Sequence, residues 1–267
     1  MRKNHFSRID NGINLEEFIK VEEKRYDGRA PNELRPVKFT KDFTMNAKAS
    51  VLVEMGNTKV ICTATIDHKV PQFIRESGAK HGWLTAEYDM LPRSANRRIL
   101  RDRYQGKIKG RSQEIQRLIG RSLRAVFDLT QIPDKQIILD CDVIQADGGT
   151  RTAAINGSFM ALYDACSFMR ERKWIKEFPI KNFIGAISTG IVQDTVLLDL
   201  AYDEDLAAQV DMNIVMDENG KYIEVQGTSE ETPFASEQLQ KMLKYAEKGI
   251  KEIIDYQKEL ILKGLTA

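Results

Sequence analysis

The run IILDCDVIQADGGTRT, residues 137–152, decides how this chain folds. Its first part alternates apolar and polar residues, as a half-buried β-strand does. Gly148-Gly149-Thr150 then ends the strand, and Ile155, Phe159, Leu162, Cys166 and Met169 recur on one face of a helix. A strand is thus expected to pass into a helix through a glycine turn. Toward the C-terminus, ISTGIV and TVLLDL predict a hairpin, and QVDMNIVM with YIEVQG predict another around Glu218-Asn219-Gly220. Ser236 opens a long helix reaching about Leu262, with Leu239, Met242, Leu243, Ala246, Ile250, Ile253, Ile254 and Leu260 facing inward. Toward the N-terminus, Ile115, Leu118, Ile119, Leu123, Val126 and Phe127 predict a helix over 111–129. Residues 69–110 read as mostly irregular, broken by Pro71, Gly78, Gly82, Pro92 and Gly106, with one strand at HGWLTAEY. Before them VKFTKDF alternates, and ASVLVEM and KVICTATI flank the turn signal Gly56-Asn57-Thr58. Hairpins mixed with helices in this order indicate an α+β fold. Both halves hold hairpins followed by helices, which is compatible with an internal duplication.

Residues 1–24 stand apart. Asn14 and Glu17 form a capping signal for the short helix LEEFIKVEEK, and five basic residues balance five acidic ones across the segment. Such a helix is marginal in water on its own, so the segment is read as an appendage. Over all 267 residues, 40 basic and 39 acidic residues leave a net charge of +1, so affinity for nucleic acid has to come from local clustering. No run approaches the roughly 18 apolar residues of a membrane span. The opening residues lack the apolar core of a secretory signal. Cys62, Cys141 and Cys166 are an odd set without metal-ligand spacing, which suits a reducing compartment and a cytoplasmic location. His68 and His81 are expected to serve packing or surface roles, and Trp83 and Tyr88 to pack in the core, with stacking on bases as their alternative.

Three constellations can carry chemistry. Between Arg93 and Arg111 there are eight basic residues against the single acid Asp102, six of them arginines. Such a run repels itself unless anions visit it, and phosphate backbones are the commonest visitors. The bland alternative is a solvated loop or a ring of salt bridges. The second is Asp147-Gly-Gly-Thr-Arg-Thr, where backbone N–H groups and the positive end of a helix converge, with Thr150 and Arg151 adding donors. No Gly-Lys-Ser/Thr follows, so this is no Walker A loop, and an ordinary capped turn is the alternative. The third is acidic: Tyr202-Asp203-Glu204-Asp205 and then Asp211. In one extended strand Asp205 and Asp211 would lie about 20 Å apart, so joint action on a metal needs a bend between them. A structural salt bridge is the competing explanation for Asp211.

These residues converge on a known family. Arg25-Tyr-Asp-Gly-Arg, Glu33-Leu-Arg-Pro, Gly56-Asn-Thr-Lys-Val, Gly82-Trp-Leu-Thr-Ala-Glu-Tyr, Met90-Leu-Pro-Arg, Gly110-Arg-Ser-Gln-Glu-Ile-Gln-Arg-Leu-Ile-Gly-Arg, Asp140-Cys-Asp-Val-Ile-Gln-Ala-Asp-Gly-Gly-Thr-Arg-Thr and Val210-Asp-Met-Asn resemble bacterial RNase PH, a family of phosphorolytic 3′-exoribonucleases that trim transfer-RNA precursors. The likeness runs from about residue 25 to the C-terminal helix, so 25–267 is expected to form a single RNase PH domain behind the extension 1–24. The resemblance implies duplicated βαβα-type units and a homohexameric ring, a trimer of dimers. It implies inorganic phosphate as co-substrate, held by Arg111, Gly149, Thr150 and Arg151, and RNA held by Arg93, Arg97, Arg98, Arg101 and Arg103. It assigns Asp205 and Asp211 to catalysis and to Mg²⁺ or Mn²⁺, with Arg111 also catalytic. Three departures stand out: Leu206 replaces a serine, Gln209 replaces an acid, and Ser229 stands where glycine is common. They leave room for a different expectation, an inactive RNA-binding ring subunit like those of some exosome rings. A hydrolytic two-metal nuclease would need a denser acidic cluster.

Overall fold

The computed structural model describes residues 25–101, 106, 109–229 and 232–264. The helix expected within 1–24 and the RNA-contact candidate Arg103 lie outside them. In chain order the elements are β1 (Val37–Lys41), β2 (Ala49–Met55), β3 (Thr58–Asp67), α1 (Gln72–Glu76), β4 (Trp83–Met90), α2 (Gly110–Arg124), a 3-10 turn (Leu129–Gln131), β5 (Gln136–Gln145), α3 (Thr150–Glu171), β6 (Ile184–Val192), β7 (Thr195–Leu198), α4 (Tyr202–Leu206), β8 (Val210–Asp217), β9 (Tyr222–Ser229) and α5 (Ser236–Gly264). They build two sheets, β1-β2-β3-β5-β4 and β7-β6-β8-β9. The first is mixed, since β4 runs parallel to β5 while its other pairs are antiparallel. The second is antiparallel throughout. The α+β class read from the sequence is the class observed.

Helix α3 is the centre of the molecule. It packs against β2, β3 and β5 of one sheet and against β6 and β8 of the other. The sequence suggested a single apolar face, but burial extends around the helix and includes Ala153, Asn156, Gly157, Ser158 and Ala161. Small residues let the backbone approach the sheet: a Cβ on Gly157 would sit 2.6 Å from Val53 Cγ1 and 2.7 Å from Cys62 Sγ. Buried Asn156 is satisfied by Ala186, donating to its carbonyl and accepting from its N–H, both at 2.8 Å. Strand β6, contacted by α3 and α5, is buried at all nine positions. Burial on both faces fits a strand, IGAISTGIV, that holds no charged residue. One hydrophobic cluster spans both sheets, from Val53 and Leu139 to Ile187 and Ile250.

Local chemistry explains the expected hairpins. The first turns at Gly56, where φ is +57°, and pairs Met55 with Thr58. The β6–β7 turn places Gln193 and Asp194 at φ of +46° and +59°, a left-handed pair that uses no glycine. The predicted boundaries differ in three places. The helix at 111–129 ends at Arg124, because the chain leaves it to bridge Phe127 to Ile180. The strand VKFTKDF stops at Lys41, where Asp42 turns to φ +53°. Within 69–110, α1 forms where irregular chain was expected, burying Ile74 and setting Phe73 edge-on to Trp83.

Candidate active site

A cavity of about 390 Å³ opens where the two sheets meet. Its charged and polar walls come largely from three stretches distant in sequence, the start of α2, the start of α3 and the α4–β8 segment, with the end of β4, residues 95–99 and Ser188 of β6 completing it. Lys109, Arg111 and Ser112 line it from the first, Gly149, Thr150 and Arg151 from the second, and Tyr202, Asp205, Asp211 and Asn213 from the third. Two long helices therefore aim their N-termini into one space. No described side chain caps either end. Their backbone N–H groups and positive dipole ends make the cavity an anion site before any side chain is counted.

The glycine turn is shaped for this task. Gly148 and Gly149 hold φ of +73° and +65°, and Gly149 is the N-cap of α3. Tyr88, buried on β4, donates from its hydroxyl to Thr150 Oγ1 at 2.9 Å. Burial raises the Tyr88 hydroxyl pKa, so it keeps its proton. Arg151 donates from Nη1 to Gln226 Oε1 at 3.1 Å and Glu114 Oε1 at 3.4 Å. Gln226 in turn donates to Glu114 at 2.9 Å, so α2 and β9 steer that guanidinium.

The acidic half is where the structure adds most. An extended strand would have separated Asp205 from Asp211, but Tyr202–Leu206 forms a helical turn and β8 begins only at Val210. That bend brings both carboxylates to the cavity. Burial pushes the Asp205 carboxyl above its ordinary range, against the opposing pull of Arg111, Arg151 and Arg35. Asn213 Nδ2 lies 3.4 Å from Asp211 Oδ2, on the donor side of a weak hydrogen bond. Leu206 and Gln209 do not line the cavity: Leu206 is exposed, and Gln209 Oε1 accepts from the Asp194 N–H at 3.0 Å. Among the described residues no three Asp, Glu, His or Cys side chains gather as a metal cage. Two carboxylates beside an anion site nonetheless suit Mg²⁺, which commonly keeps waters and binds one or two carboxylates plus substrate phosphates.

The basic segment contributes differently. Ala95, Asn96 and Ile99 reach the cavity, whereas Arg93, Arg97, Arg98 and Arg101 do not line it. Arg93, Arg97 and Arg98 are exposed, and Arg93 Nη1 donates to the Asn96 carbonyl at 3.1 Å. His68 packs on Trp174 and His81 Nδ1 meets the Gly82 carbonyl, in keeping with non-catalytic roles.

A buried ionic network lies behind the site, and reading motifs alone assigned it no role. Arg35 forks onto Asp199, from Nε to Oδ2 at 3.0 Å and from Nη2 to Oδ1 at 2.6 Å. Its Nη1 donates to the Asp147 carbonyl at 2.5 Å. Arg25 pairs with Glu204 of α4 through both Nε and Nη2, and also donates to the carbonyls of Leu198 and Asp199. Burial opposes the charge of Asp199, but Arg35 and Arg29 outweigh it and hold the carboxyl below its usual range. The only advance signal was that Arg25 and Arg35 fall within segments resembling RNase PH.

Comparison with known proteins identifies the family of this fold. Residues 33–167 match the 3′ exoribonuclease family, domain 1, and residues 182–249 match domain 2 of the same family. The chain belongs to the RNase PH-type 3′ exoribonuclease family. It is similar in structure to Rrp46 of rice, Oryza sativa, at 20% identity and TM-score 0.69, over 88% of this chain and 98% of that one. It is also similar to a chain of the Archaeoglobus fulgidus exosome with RNA bound to the active site, at 17% identity and TM-score 0.75, over 91% and 95%. An archaeal exosome core subunit matches at 18% identity and TM-score 0.70, over 88% and 91%. At these identities the likeness concerns the fold. No helix among the described residues is long and apolar enough to cross a membrane.

Proposed function

We propose that this protein is a phosphorolytic 3′-to-5′ exoribonuclease of the bacterial RNase PH type, which trims transfer-RNA precursors and other RNAs with inorganic phosphate. One observation carries the reading: two helix N-termini, Arg111 and Arg151 share a single cavity with Asp205 and Asp211. Arg111, Thr150 and Arg151 hold the phosphate nucleophile in line with the last phosphodiester and offset charge on the transferring phosphorus. The attacking phosphate oxygen forms a bond to that phosphorus, and the bond to the 3′ oxygen of the preceding nucleotide breaks. A nucleoside diphosphate leaves, and an aspartate of the acidic pair delivers a proton to the departing 3′ oxygen. Mg²⁺ or Mn²⁺, when held by Asp205 and Asp211, supplies charge stabilisation at the scissile phosphate. One phosphate ester is exchanged for a diphosphate, so excess nucleoside diphosphate drives the reverse reaction.

Arg93, Arg97, Arg98, Arg101 and Arg103 are assigned to the RNA backbone, on the strength of the basic segment and the family resemblance. Assembly as a homohexamer, a trimer of dimers, follows from the family resemblance. Cys62, Cys141 and Cys166 are free and buried, which supports a reducing, cytoplasmic setting. The alternative, an inactive RNA-binding ring subunit, draws on Leu206 and Gln209, and their placement away from the cavity weakens it.

The test is a short RNA with a 3′ extension, incubated in Mg²⁺ with and without inorganic phosphate, its products identified by mass. Nucleoside diphosphates that appear only with phosphate are the expected result. Monophosphates without phosphate would mean hydrolysis, and binding without products would mean the inactive subunit.

A further inference from the structure

Behind the cavity, Asp147 joins its two halves. Its carboxylate Oδ1 accepts from the Tyr202 N–H at 3.3 Å, at the first turn of the helix that carries Asp205. Its Oδ2 accepts from Asn57 Nδ2 at 3.1 Å. Its own carbonyl accepts from Arg35, and its N–H donates to Thr58 Oγ1 at 3.0 Å. Thr58 Oγ1 also donates to the Gly148 carbonyl at 2.6 Å. The strand-to-helix turn and the acidic helix touch here: a Cβ on Gly148 would fall 2.4 Å from the Leu200 carbonyl oxygen and 3.0 Å from Tyr202 N. A Cβ on Gly149 would lie 3.1 Å from Arg35 Nη2.

We propose that Asp147 is a positioning residue, a clasp that fixes the phosphate turn against the acidic helix and so sets the distance between a bound phosphate and Asp205. The inference rests on the phosphorolytic reading of the cavity. Asp147 does not line the cavity, so it acts only through the atoms it holds. Its partners belong to the β2–β3 hairpin, the segment before β1, and α4, and the clasp therefore ties both sheets to the reacting centre. A displacement of about 1 Å at such a centre is enough to cost on the order of 10²-fold in rate.

The experiment compares Asp147→Ala, Asp147→Asn, and the exchange Asn57→Asp/Asp147→Asn, all in the full chain. In the exchange an aspartate at 57 accepts from the new amide at 147, whose oxygen still accepts from the Tyr202 N–H. Readouts are calorimetric binding of inorganic phosphate, RNA binding without phosphate, kcat for phosphorolysis, and melting temperature. The expected result for Asp147→Ala is phosphate binding weakened about tenfold or more and kcat lowered at least as much. RNA binding should stay unchanged and melting should stay within about 4 °C of wild type. Asp147→Asn should be impaired, and the exchange should recover most of the loss. Phosphate affinity and kcat within twofold of wild type in Asp147→Ala would overturn the clasp, as would an exchange no better than Asp147→Asn alone. If Asp147→Ala fails to fold, the contrast between Asp147→Asn and the exchange decides. A wild-type chain that binds phosphate but makes no nucleoside diphosphates would defeat the phosphorolytic reading, and the calorimetric series would still judge the clasp. A wild-type chain that binds no phosphate overturns both.

Discussion

The phosphate turn at Gly149–Arg151 and the acidic helix at Tyr202–Leu206 face the same cavity, yet they depend on different amounts of the chain. The turn is local. Its donors are backbone N–H groups of one helix end, and its arginine and threonine are adjacent in sequence. The acidic side has no such local definition. Asp205 comes from a five-residue helix whose entry is held by Glu204, which accepts from the Ala201 N–H at 2.9 Å and pairs with Arg25, 179 positions away. A contiguous motif can thus build an anion site, whereas placing a carboxylate against it takes long-range contacts. Mutations on the two sides should fail in different ways.

The largest effect is expected from Arg111→Ala. Removing a preorganised charge from the phosphate side should lower kcat/KM for phosphate by about 10³-fold, with melting little changed. Persisting phosphorolysis with unchanged phosphate dependence would remove Arg111 from the site. The acidic side should instead show its dependence on folding. Asp199→Asn breaks a fully buried pair with Arg35 and should cost about 3–5 kcal/mol of stability, read by denaturant unfolding at neutral pH. Because the Asp199 carboxyl is held below its ordinary value when folded, its contribution is present above about pH 4 and fades as pH falls through the folded value. The difference between wild type and Asp199→Asn should shrink accordingly in acid. A constant difference down to low pH would show that the ion pair is not its source.

Smaller effects should come from outside the cavity. Neutralising Arg97 and Arg98 should weaken RNA binding and leave phosphate affinity unchanged. The slope of log affinity against log salt should fall by about 0.7 for each RNA phosphate that is no longer neutralised. An unchanged slope would assign the segment to another role. The smallest effect belongs to Leu206→Ser with Gln209→Glu, because neither side chain lines the cavity. The Mg²⁺ concentration needed for half-maximal activity should move by less than about twofold, whereas a single exposed charge interaction of about 1 kcal/mol would move it roughly fivefold. A large gain in activity would instead revive the inactive-subunit reading.

Much of the fold was legible because its signals are local. The alternation of QIILDCDVIQ, the glycine turn after it, and the apolar spacing of the final helix each follow from a few neighbouring residues. The short helices α1 and α4 were not legible, since five residues carry too little periodicity to separate helix from loop. The missed α4 mattered most, because only its turn brings Asp205 and Asp211 to one space. The roles of Arg35, Asp199 and Asp147 were equally hidden: each is a polar side chain whose partners lie 55 or more positions away.

The amino-acid sequence by itself determined the α+β class, the hairpins, the two long helices that open at Gly110 and Thr150, and the residues able to bind an anion. These rest on propensity, periodicity and helix-end geometry, which operate over a few residues. Only the tertiary structure decided that both helix ends point into one cavity, that the acidic pair joins them, and that a buried ionic network stands behind the turn. Those outcomes depend on which distant surfaces bury one another, and burial is a property of the packed chain rather than of any stretch of it.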